Sequence, residues 1–317
     1  MVAVIGAGRL GTALGRALNN AGYRVEVVVA RRRTSARRAA KLIGKDPDAL
    51  TVRQLEGLLR SQYDRLSRCA LMLISTPDDA IASVAEQLTV LFDSREVEPP
   101  RQRKTSSAPR VALHTSGALS ANVLSPLRYA GFAIGSLHPL VSISDSRTDS
   151  DAFRNAFFAI EGDLLAVRVA KSVVKDLGGQ SFQISPGAKA LYHAAAVTAS
   201  GHVVAVFDIA LEMLVGCGLS RRRSRQILLP LLESTARNLA ARDPAHALTG
   251  TFARGDVSTV KRHLASIKSH KLRAAFAAYI LLGQRSLLLA RKRGTHSSRL
   301  DQIAEILAAS ATSSLRR

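Results

Sequence analysis

Three side chains that can exchange a proton recur at helical spacing in the segment "KALYHAAAV". Lys189, Tyr192 and His193 stand at positions i, i+3 and i+4, so a helix places them on one face. A lysine and a histidine on an otherwise apolar helix need partners or a cleft, because burying either alone is costly. Lys189 or His193 could therefore be a catalytic general acid, and desolvation would lower the pKa of the lysine. In the alternative interpretation, Lys189 lies at the helix rim and His193 is hydrogen-bonded inside a bundle.

Two further histidines end predicted strands, His114 in "VALHTSGAL" and His138 in "IGSLHPL". Both would project from the sheet edge towards a cleft, which makes His138 a candidate catalytic residue. The small polar run after His114 suits a loop that approaches a ligand closely. We therefore predict that His114, Ser116 and Tyr192 bind substrate, although each histidine alone could be structural.

A glycine-rich turn follows the first predicted strand, Val2 to Ile5. The residues Gly6-Ala-Gly8-Arg9-Leu10-Gly11 form a G-x-G-x-x-G pattern that opens a helix. The first glycine permits the turn, the second admits a pyrophosphate, and the third allows close packing of helix and strand. This loop, including Arg9 and Leu10, is predicted to bind a dinucleotide. The alternative is a Rossmann domain that has lost its ligand.

The second strand ends without the acidic residue that usually binds the adenosine ribose of NAD. Ala30 takes that place, and three arginines beginning with Arg31 and Arg32 follow. Guanidinium groups and the hydroxyl of Ser35 could bind a 2′-phosphate, so the sequence predicts NADP as cofactor. A solvated basic loop is the alternative. Ser75, Thr76 and Pro77 end a later strand at the same sheet edge and are predicted to contact the cofactor.

Strands alternate with helices through the first half of the chain, which predicts an α/β fold with a Rossmann-type doubly wound parallel sheet. After Ser185 the apolar residues recur with the period of a helix. We therefore predict an NADP-binding domain over residues 1–185 and an all-α substrate and dimerisation domain over 186–317. Within the first, a helix is expected from Leu50 to Leu66 and a surface loop from Ser94 to Arg110.

The chain has 317 residues and a net charge of +21, and its composition favours a cytoplasmic protein. The two cysteines lack ligand spacing, so we expect neither a disulfide nor a metal. We expect no apolar run long enough to span a bilayer and no secretory leader, and therefore no membrane partner. The arginines are spread along the chain and aromatic residues are scarce, which makes nucleic acid an unlikely partner, although the charge leaves that alternative open.

Five segments together carry a family resemblance: "LMLISTPDDAI", "LHTSGALSA", "GSLHPL", "LYHAAAV" and "LTGTFARGDVSTVKRHL". They resemble, in order, the bacterial Rossmann-like family that carries the domain of unknown function 2520. That family is similar in layout to pyrroline-5-carboxylate reductases, ketopantoate reductases and β-hydroxyacid dehydrogenases. The resemblance implies a homodimer formed through the helical domain, and it matches Lys189 to a catalytic lysine of the dehydrogenases. Gly201 and Thr251 depart from the family's usual Asn and Pro.

These patterns together predict an NADP-dependent oxidoreductase that transfers a hydride between NADPH and a small carbonyl or imine substrate. A non-catalytic NADP-binding redox sensor or scaffold is the alternative from another class, and the departure at Gly201 favours it.

Overall fold

A computed structural model describes residues 1–55, 57–58, 60–96, 109–145, 150–294 and 298–314. The loop predicted for residues 94–110 lies mostly outside these ranges. Its first three residues, 94–96, belong to a helix.

An eight-stranded sheet organises the first part of the chain, in the order β3-β2-β1-β4-β5-β6-β7-β8. All neighbouring strands are parallel except β6 and β7, which are antiparallel. The predicted α/β fold with a Rossmann-type doubly wound sheet is confirmed, with one antiparallel pair added. The strands are β1 (Val2–Ile5), β2 (Val25–Ala30), β3 (Asp48–Thr51), β4 (Leu71–Ile74), β5 (Arg110–His114), β6 (Phe132–Pro139), β7 (Phe157–Gly162) and β8 (Gln180–Gln183).

Helices cover both faces of this sheet and bury two separate apolar layers. One layer packs around Leu66, Phe92 and Phe132, and the other around Leu14 and Phe158. Strands buried on both faces have near-continuous apolar sequences, as in "VAVI" and "LMLI". The helices are α1 (Arg9–Asn20), α2 (Arg33–Ile43), α3 (Arg60–Ser67), α4 (Asp78–Glu96), α5 (Leu164–Asp176) and α6 (Lys189–Ala199).

The prediction of a helix from Leu50 to Leu66 is wrong for the first half of that segment. Asp48–Thr51 forms the edge strand β3, a 3-10 turn follows at Val52–Leu55, and the helix begins at Arg60. The backbone of residues 48–51 pairs with β2, so that a short polar segment extends the sheet. Its apolar residues are too few for their period to distinguish a strand from a helix.

Contacts divide the chain into two compact units, Met1–Val197 and Thr198–Arg317. The first unit extends past Ser185 and includes most of α6. The second unit is helical and packs its own core around Val260, Ile280 and Leu307. Its helices are α7 (Gly201–Gly216), α8 (Arg221–Ala241), α9 (Pro244–Ala247), α10 (Thr251–Arg254), α11 (Val257–Ser269), α12 (Arg273–Lys292) and α13 (Ser298–Ser314).

One apolar stretch corrects an expectation from the sequence. Pro186–Gly216 is long and apolar enough, by length and composition alone, to cross a bilayer, and only 6% of its most apolar window is buried. The expectation that no run reaches that length is therefore wrong. Core and interface helices of soluble proteins pass the same test, so the property does not identify a membrane span by itself.

Candidate active site

The glycine turn between β1 and α1 combines two packed glycines with one open glycine. Gly6 has φ +104°, and a Cβ there would lie 2.4 Å from the carbonyl carbon of Ser75. A Cβ on Gly11 would lie 2.1 Å from the Gly6 carbonyl oxygen. By contrast, a Cβ on Gly8 would meet nothing within 4 Å. The fold itself therefore requires the first and third glycines, whereas the second presents bare backbone to open space.

That open backbone lies at the N-terminus of α1. Gly8 is the N-cap residue, no side chain caps the helix, and its first turn contains no acidic residue. Amide groups and the positive end of a helix dipole favour an anion at such a position. The hydroxyl of Thr76, which follows β4, is buried and has no hydrogen-bond partner among the residues that the structure describes. These features fit a dinucleotide phosphate and a polar cofactor group at the same sheet edge.

A cavity of about 340 Å³ adjoins the glycine turn and reaches the first turns of α2. Its lining includes Gly8, Arg9, Ser35 and Arg38. Arg9 also donates a hydrogen bond from Nη1 to the carbonyl oxygen of Ser144, 3.4 Å away. Sequence analysis did not single out Arg38, but its position three residues after Ser35 on a helix would have placed both on one face.

The predicted arginines lie in the turn between β2 and α2. Arg31 and Arg32 are exposed, and Arg32 is the N-cap residue of α2 without a side-chain cap. The strand before them ends at Ala30. The turn thus offers cations and no carboxylate beside the cavity that contains Ser35.

Lys189 begins α6, and its side chain is completely buried. Its Nζ donates hydrogen bonds to the Ser116 carbonyl oxygen, 3.1 Å away, and to Ser136 Oγ. The same nitrogen lies 3.9 Å from Glu161 Oε1. Burial lowers the pKa of Lys189 to about 8, although Glu161 and Asp78 oppose that shift.

Ser136 and Glu161 are directly opposed across the antiparallel β6–β7 pair. Glu161 is 7% exposed and also accepts a 2.5 Å hydrogen bond from the Ala121 amide. Sequence analysis missed Ser136 and Glu161, two of the three partners of Lys189. A glutamate at the end of the apolar strand "FFAIEG" was the available signal, because a buried carboxylate needs a cation or donors.

His138 and Tyr192 form a second polar pair beside this lysine. His138 Nδ1 and the Tyr192 hydroxyl are 2.7 Å apart, and the rings are perpendicular at a centroid distance of 5.6 Å. Burial lowers the pKa of His138 to about 4, with the charges of His193 and Lys189 acting in the same direction. Burial raises the pKa of Tyr192 to about 12. Both groups are therefore neutral at pH 7.

His193 packs edge-on against His138 at a centroid distance of 5.4 Å. Its Nδ1 is buried and has no hydrogen-bond partner. A Cβ on Gly117 would lie 2.3 Å from that nitrogen and 2.8 Å from His138 Nε2. The two imidazoles therefore contact the backbone at position 117, which only glycine allows.

His114 and Ser116 shape the loop after β5. His114 is fully buried, and its Nδ1 accepts a 3.1 Å hydrogen bond from the Ser116 amide. Burial and the charge of Lys189 lower the pKa of His114 to about 3. Ser116 Oγ donates to Asp78 Oδ2 at 2.8 Å and accepts from the Ala118 and Leu119 amides. These side chains hold the loop in place, and their predicted contact with substrate remains a prediction.

The predicted residues thus fall into two groups within the first unit. Lys189, Tyr192, His193 and His138 are joined to His114 and Ser116 in one cluster. The glycine turn and Ser35 line one cavity and form the other group, and Arg31 and Arg32 lie in the turn that leads into the helix of Ser35. The two groups are linked by a 3.1 Å hydrogen bond that Thr115 Oγ1 donates to Ser75 Oγ, and by the contact between Ser116 and Asp78.

Two family models match separate parts of the chain. A Rossmann-like domain matches residues 1–139, and the domain of unknown function 2520 matches residues 156–285. A comparison with curated proteins gives no significant match.

Solved structures share the fold over most of the chain. A candidate NADP oxidoreductase from Bacteroides fragilis has a TM-score of 0.67 at 23% identity, covering 90% of this chain and 97% of its own. The protein TM1727 from Thermotoga maritima has a TM-score of 0.65 at 20% identity, with coverages of 92% and 99%. A reductive aminase from Aspergillus terreus, in complex with NADPH and ethyl-5-oxohexanoate, has a TM-score of 0.61 at 14% identity, with coverages of 96% and 98%.

Proposed function

The chain carries a Rossmann-like domain followed by the domain of unknown function 2520, and from that premise we propose that it is an NADP-dependent oxidoreductase. The observation that supports this most strongly is the bare backbone of Gly8 at an uncapped helix N-terminus, beside a cavity lined by Arg9, Ser35 and Arg38. Several proteins of similar fold bind NADP or NADPH, among them the reductive aminase.

The cofactor would be held by the glycine turn and by the turn after β2. Backbone amides at Gly8 and Arg9 would bind the diphosphate, and Leu10 and Gly11 would continue the helix beneath it. Arg31, Arg32 and Ser35 would bind the 2′-phosphate, because guanidinium groups form paired hydrogen bonds with phosphate. The residues Ser75, Thr76 and Pro77 would contact the nicotinamide half.

The substrate would be a small carbonyl or imine bound near the histidine cluster. Bound NADPH supplies a hydride to the unsaturated carbon. This chain must then stabilise the charge on the oxygen or nitrogen and supply a proton. Lys189, His138 and His193 are the candidate proton donors, and Tyr192, His114 and Ser116 would shape the substrate side.

We also propose that the helical unit forms a homodimer. Large apolar side chains are exposed on three of its helices, including Val204 at 70%, Leu231 at 63% and Leu281 at 68%. Charged residues such as Asp208 and Glu233 are interspersed among them. A bilayer core would penalise those charges, whereas a polar-rimmed protein interface accommodates them. The protein would then act in the cytoplasm without a membrane or nucleic-acid partner.

Light scattering after size exclusion tests the dimer. The expected mass is twice 33.9 kDa, and Leu231→Glu with Leu281→Glu should reduce it to that of a monomer. A monomeric wild-type protein in detergent-free buffer would refute the dimer. A protein that stays in solution only with detergent would instead indicate a bilayer.

The function is tested by titrating the protein with NADPH and with NADH and then assaying oxidation of the bound nucleotide. We expect NADPH to bind more tightly, and the double variant Arg31→Ala with Arg32→Ala to reduce that preference at least tenfold. Pyruvate, butanal and 2-methyl-1-pyrroline serve as keto-acid, aldehyde and cyclic-imine probes. Equal affinity for both nucleotides would refute the NADP preference.

The complete burial of Lys189 favours a second candidate function. Its nitrogen is hydrogen-bonded to Ser116 and Ser136 and lies 3.9 Å from Glu161 Oε1, as expected of a structural lysine. A protein that binds NADPH but oxidises it with none of the three probes would point to the non-catalytic sensor or scaffold.

A further inference from the structure

Lys189 offers a substrate no exposed surface, because its side chain is enclosed by protein. An ammonium group has three N–H donors. Two are bonded to Ser116 and Ser136, and Glu161 Oε1 lies 3.9 Å from the nitrogen. The side chain is completely buried. Lys189 therefore fixes the start of α6 against β6 and β7, and its release would leave Glu161 buried without its cation.

His138 and Tyr192 are placed differently, because both side chains are partly exposed. Among the residues that the structure describes, the Tyr192 hydroxyl has no hydrogen-bond partner other than His138 Nδ1. The Tyr192 hydroxyl can donate its proton to Nδ1 when His138 is the Nε2–H tautomer. His138 then carries its own proton on Nε2, the nitrogen beside Gly117.

We infer that the Tyr192–His138 pair supplies the proton in the proposed reduction, and that Lys189 is a positioning residue that orients α6 and thereby Tyr192. This inference rests on the proposed oxidoreductase function. It specifies the substrates whose reduction needs the pair, because a neutral imidazole donor requires an acceptor lone pair at the reacting centre. A carbonyl oxygen or a neutral imine nitrogen provides one, whereas a quaternary iminium does not.

The proton reaches the substrate, and is replaced from water, in three steps. As the carbonyl carbon gains a hydride, the π electron pair moves to oxygen, which forms a bond to the proton of His138 Nε2. His138 Nδ1 takes the proton of the Tyr192 hydroxyl, so the imidazole stays neutral. Tyr192, now a tyrosinate, takes a proton from water, which its partial exposure allows. An alkoxide is a stronger base than a tyrosinate, so the transfer runs towards the product.

The helical unit contains a matched control for this pair. His263 Nδ1 and the Tyr279 hydroxyl are 2.8 Å apart, and their rings are also perpendicular. Burial raises the pKa of Tyr279 to about 12, as it does for Tyr192. Tyr192→Phe and Tyr279→Phe therefore delete the same hydrogen bond, one in the cluster and one outside it.

The test compares these two variants with the wild-type protein in three measurements. Nitrogen-15 NMR of labelled histidines reports the tautomer without turnover, and we expect His138 to be the Nε2–H form in the wild type and mixed in Tyr192→Phe only. With butanal, kcat should fall about 100-fold in Tyr192→Phe with unchanged NADPH affinity. Reduction of an N-methyl-3,4-dihydroisoquinolinium ion, which needs no proton, should be unaffected.

The outcomes distinguish a failure of the proposed function from a failure of the proton relay alone. A wild-type protein that fails to oxidise NADPH with any probe refutes the proposed function and, with it, the relay. An active wild type with equal kcat for Tyr192→Phe and Tyr279→Phe refutes the relay alone. A kcat that declines above about pH 8 in the wild type would also refute it, because that profile would identify Lys189 as the donor.

Discussion

Gly8→Ala separates cofactor binding from folding, because the fold makes no use of the missing side chain. The backbone of Gly8 has φ −76° and ψ −168°, which alanine adopts without strain. The new methyl group would meet no atom within 4 Å. Replacing glycine by alanine at a compatible position stabilises a protein by about 0.4–1 kcal/mol through the unfolded state. The melting temperature should therefore stay the same or rise slightly.

NADPH binding should weaken in the same variant. The methyl group would occupy the side of the turn from which a diphosphate approaches backbone amides. A hydrogen bond to a charged group contributes about 1.5–3 kcal/mol, so losing one corresponds to roughly a 10- to 100-fold increase in Kd. The chain has no tryptophan, so the fluorescence of NADPH itself can be followed during titration.

Gly11→Ala is the matched control in the same loop. Its methyl group would lie 2.1 Å from the Gly6 carbonyl oxygen, so the backbone must move. We expect a loss of about 1–3 kcal/mol in the free energy of unfolding, as for other overpacked sites. A Gly8→Ala protein that melts normally and binds NADPH as tightly as the wild type would refute the proposed contact between the Gly8 backbone and the diphosphate.

Three further predictions concern the histidine cluster. Gly117→Ala should displace both His138 and His193 and lower kcat at least tenfold with intact NADPH affinity; unchanged turnover would show that the two rings do not act together. The free energy of unfolding should fall as pH drops from about 6.5 to 5, by up to about 1.4 kcal/mol per pH unit for each of His114 and His138, since the unfolded chain binds protons there that the folded protein excludes; urea midpoints independent of pH would contradict this. Lys189→Met should lower the free energy of unfolding by about 3–5 kcal/mol, because it leaves the buried Glu161 carboxylate unpaired. An unchanged unfolding transition in calorimetry would refute the role of Lys189 in fixing α6 to the sheet.

The glycine turn could be predicted from the sequence because its geometry is local. A strand, a G-x-G-x-x-G turn and a helix follow one another within 20 residues, and each signal supports the next. The arginine turn after β2 is equally local. The side chains at the ends of β5 and β6 followed from the rule that ligands bind at the carboxyl edge of parallel strands.

The environment of Lys189 could not be predicted in the same way. Its partner Glu161 is set by the antiparallel register of β6 and β7, and sequence analysis expected a wholly parallel sheet. With β7 parallel, Glu161 would not stand opposite Ser136. The spacing of Lys189, Tyr192 and His193 correctly indicated a shared helical face. The spacing could not indicate that the lysine side chain would be completely buried while the tyrosine side chain stayed partly exposed.

Charge separates the two halves of the candidate site. The cofactor side presents Arg9, Arg31 and Arg38 with the uncapped start of a helix, and so suits a ligand that carries several negative charges. In the other half, Lys189 is compensated by Glu161, and the depressed pKa values of His114 and His138 keep those two rings neutral at pH 7. Neutral rings gain little from binding an anionic reacting group, but their burial strengthens the hydrogen bonds they make. That contrast favours a carbonyl or neutral imine as the reacting group over a charged one.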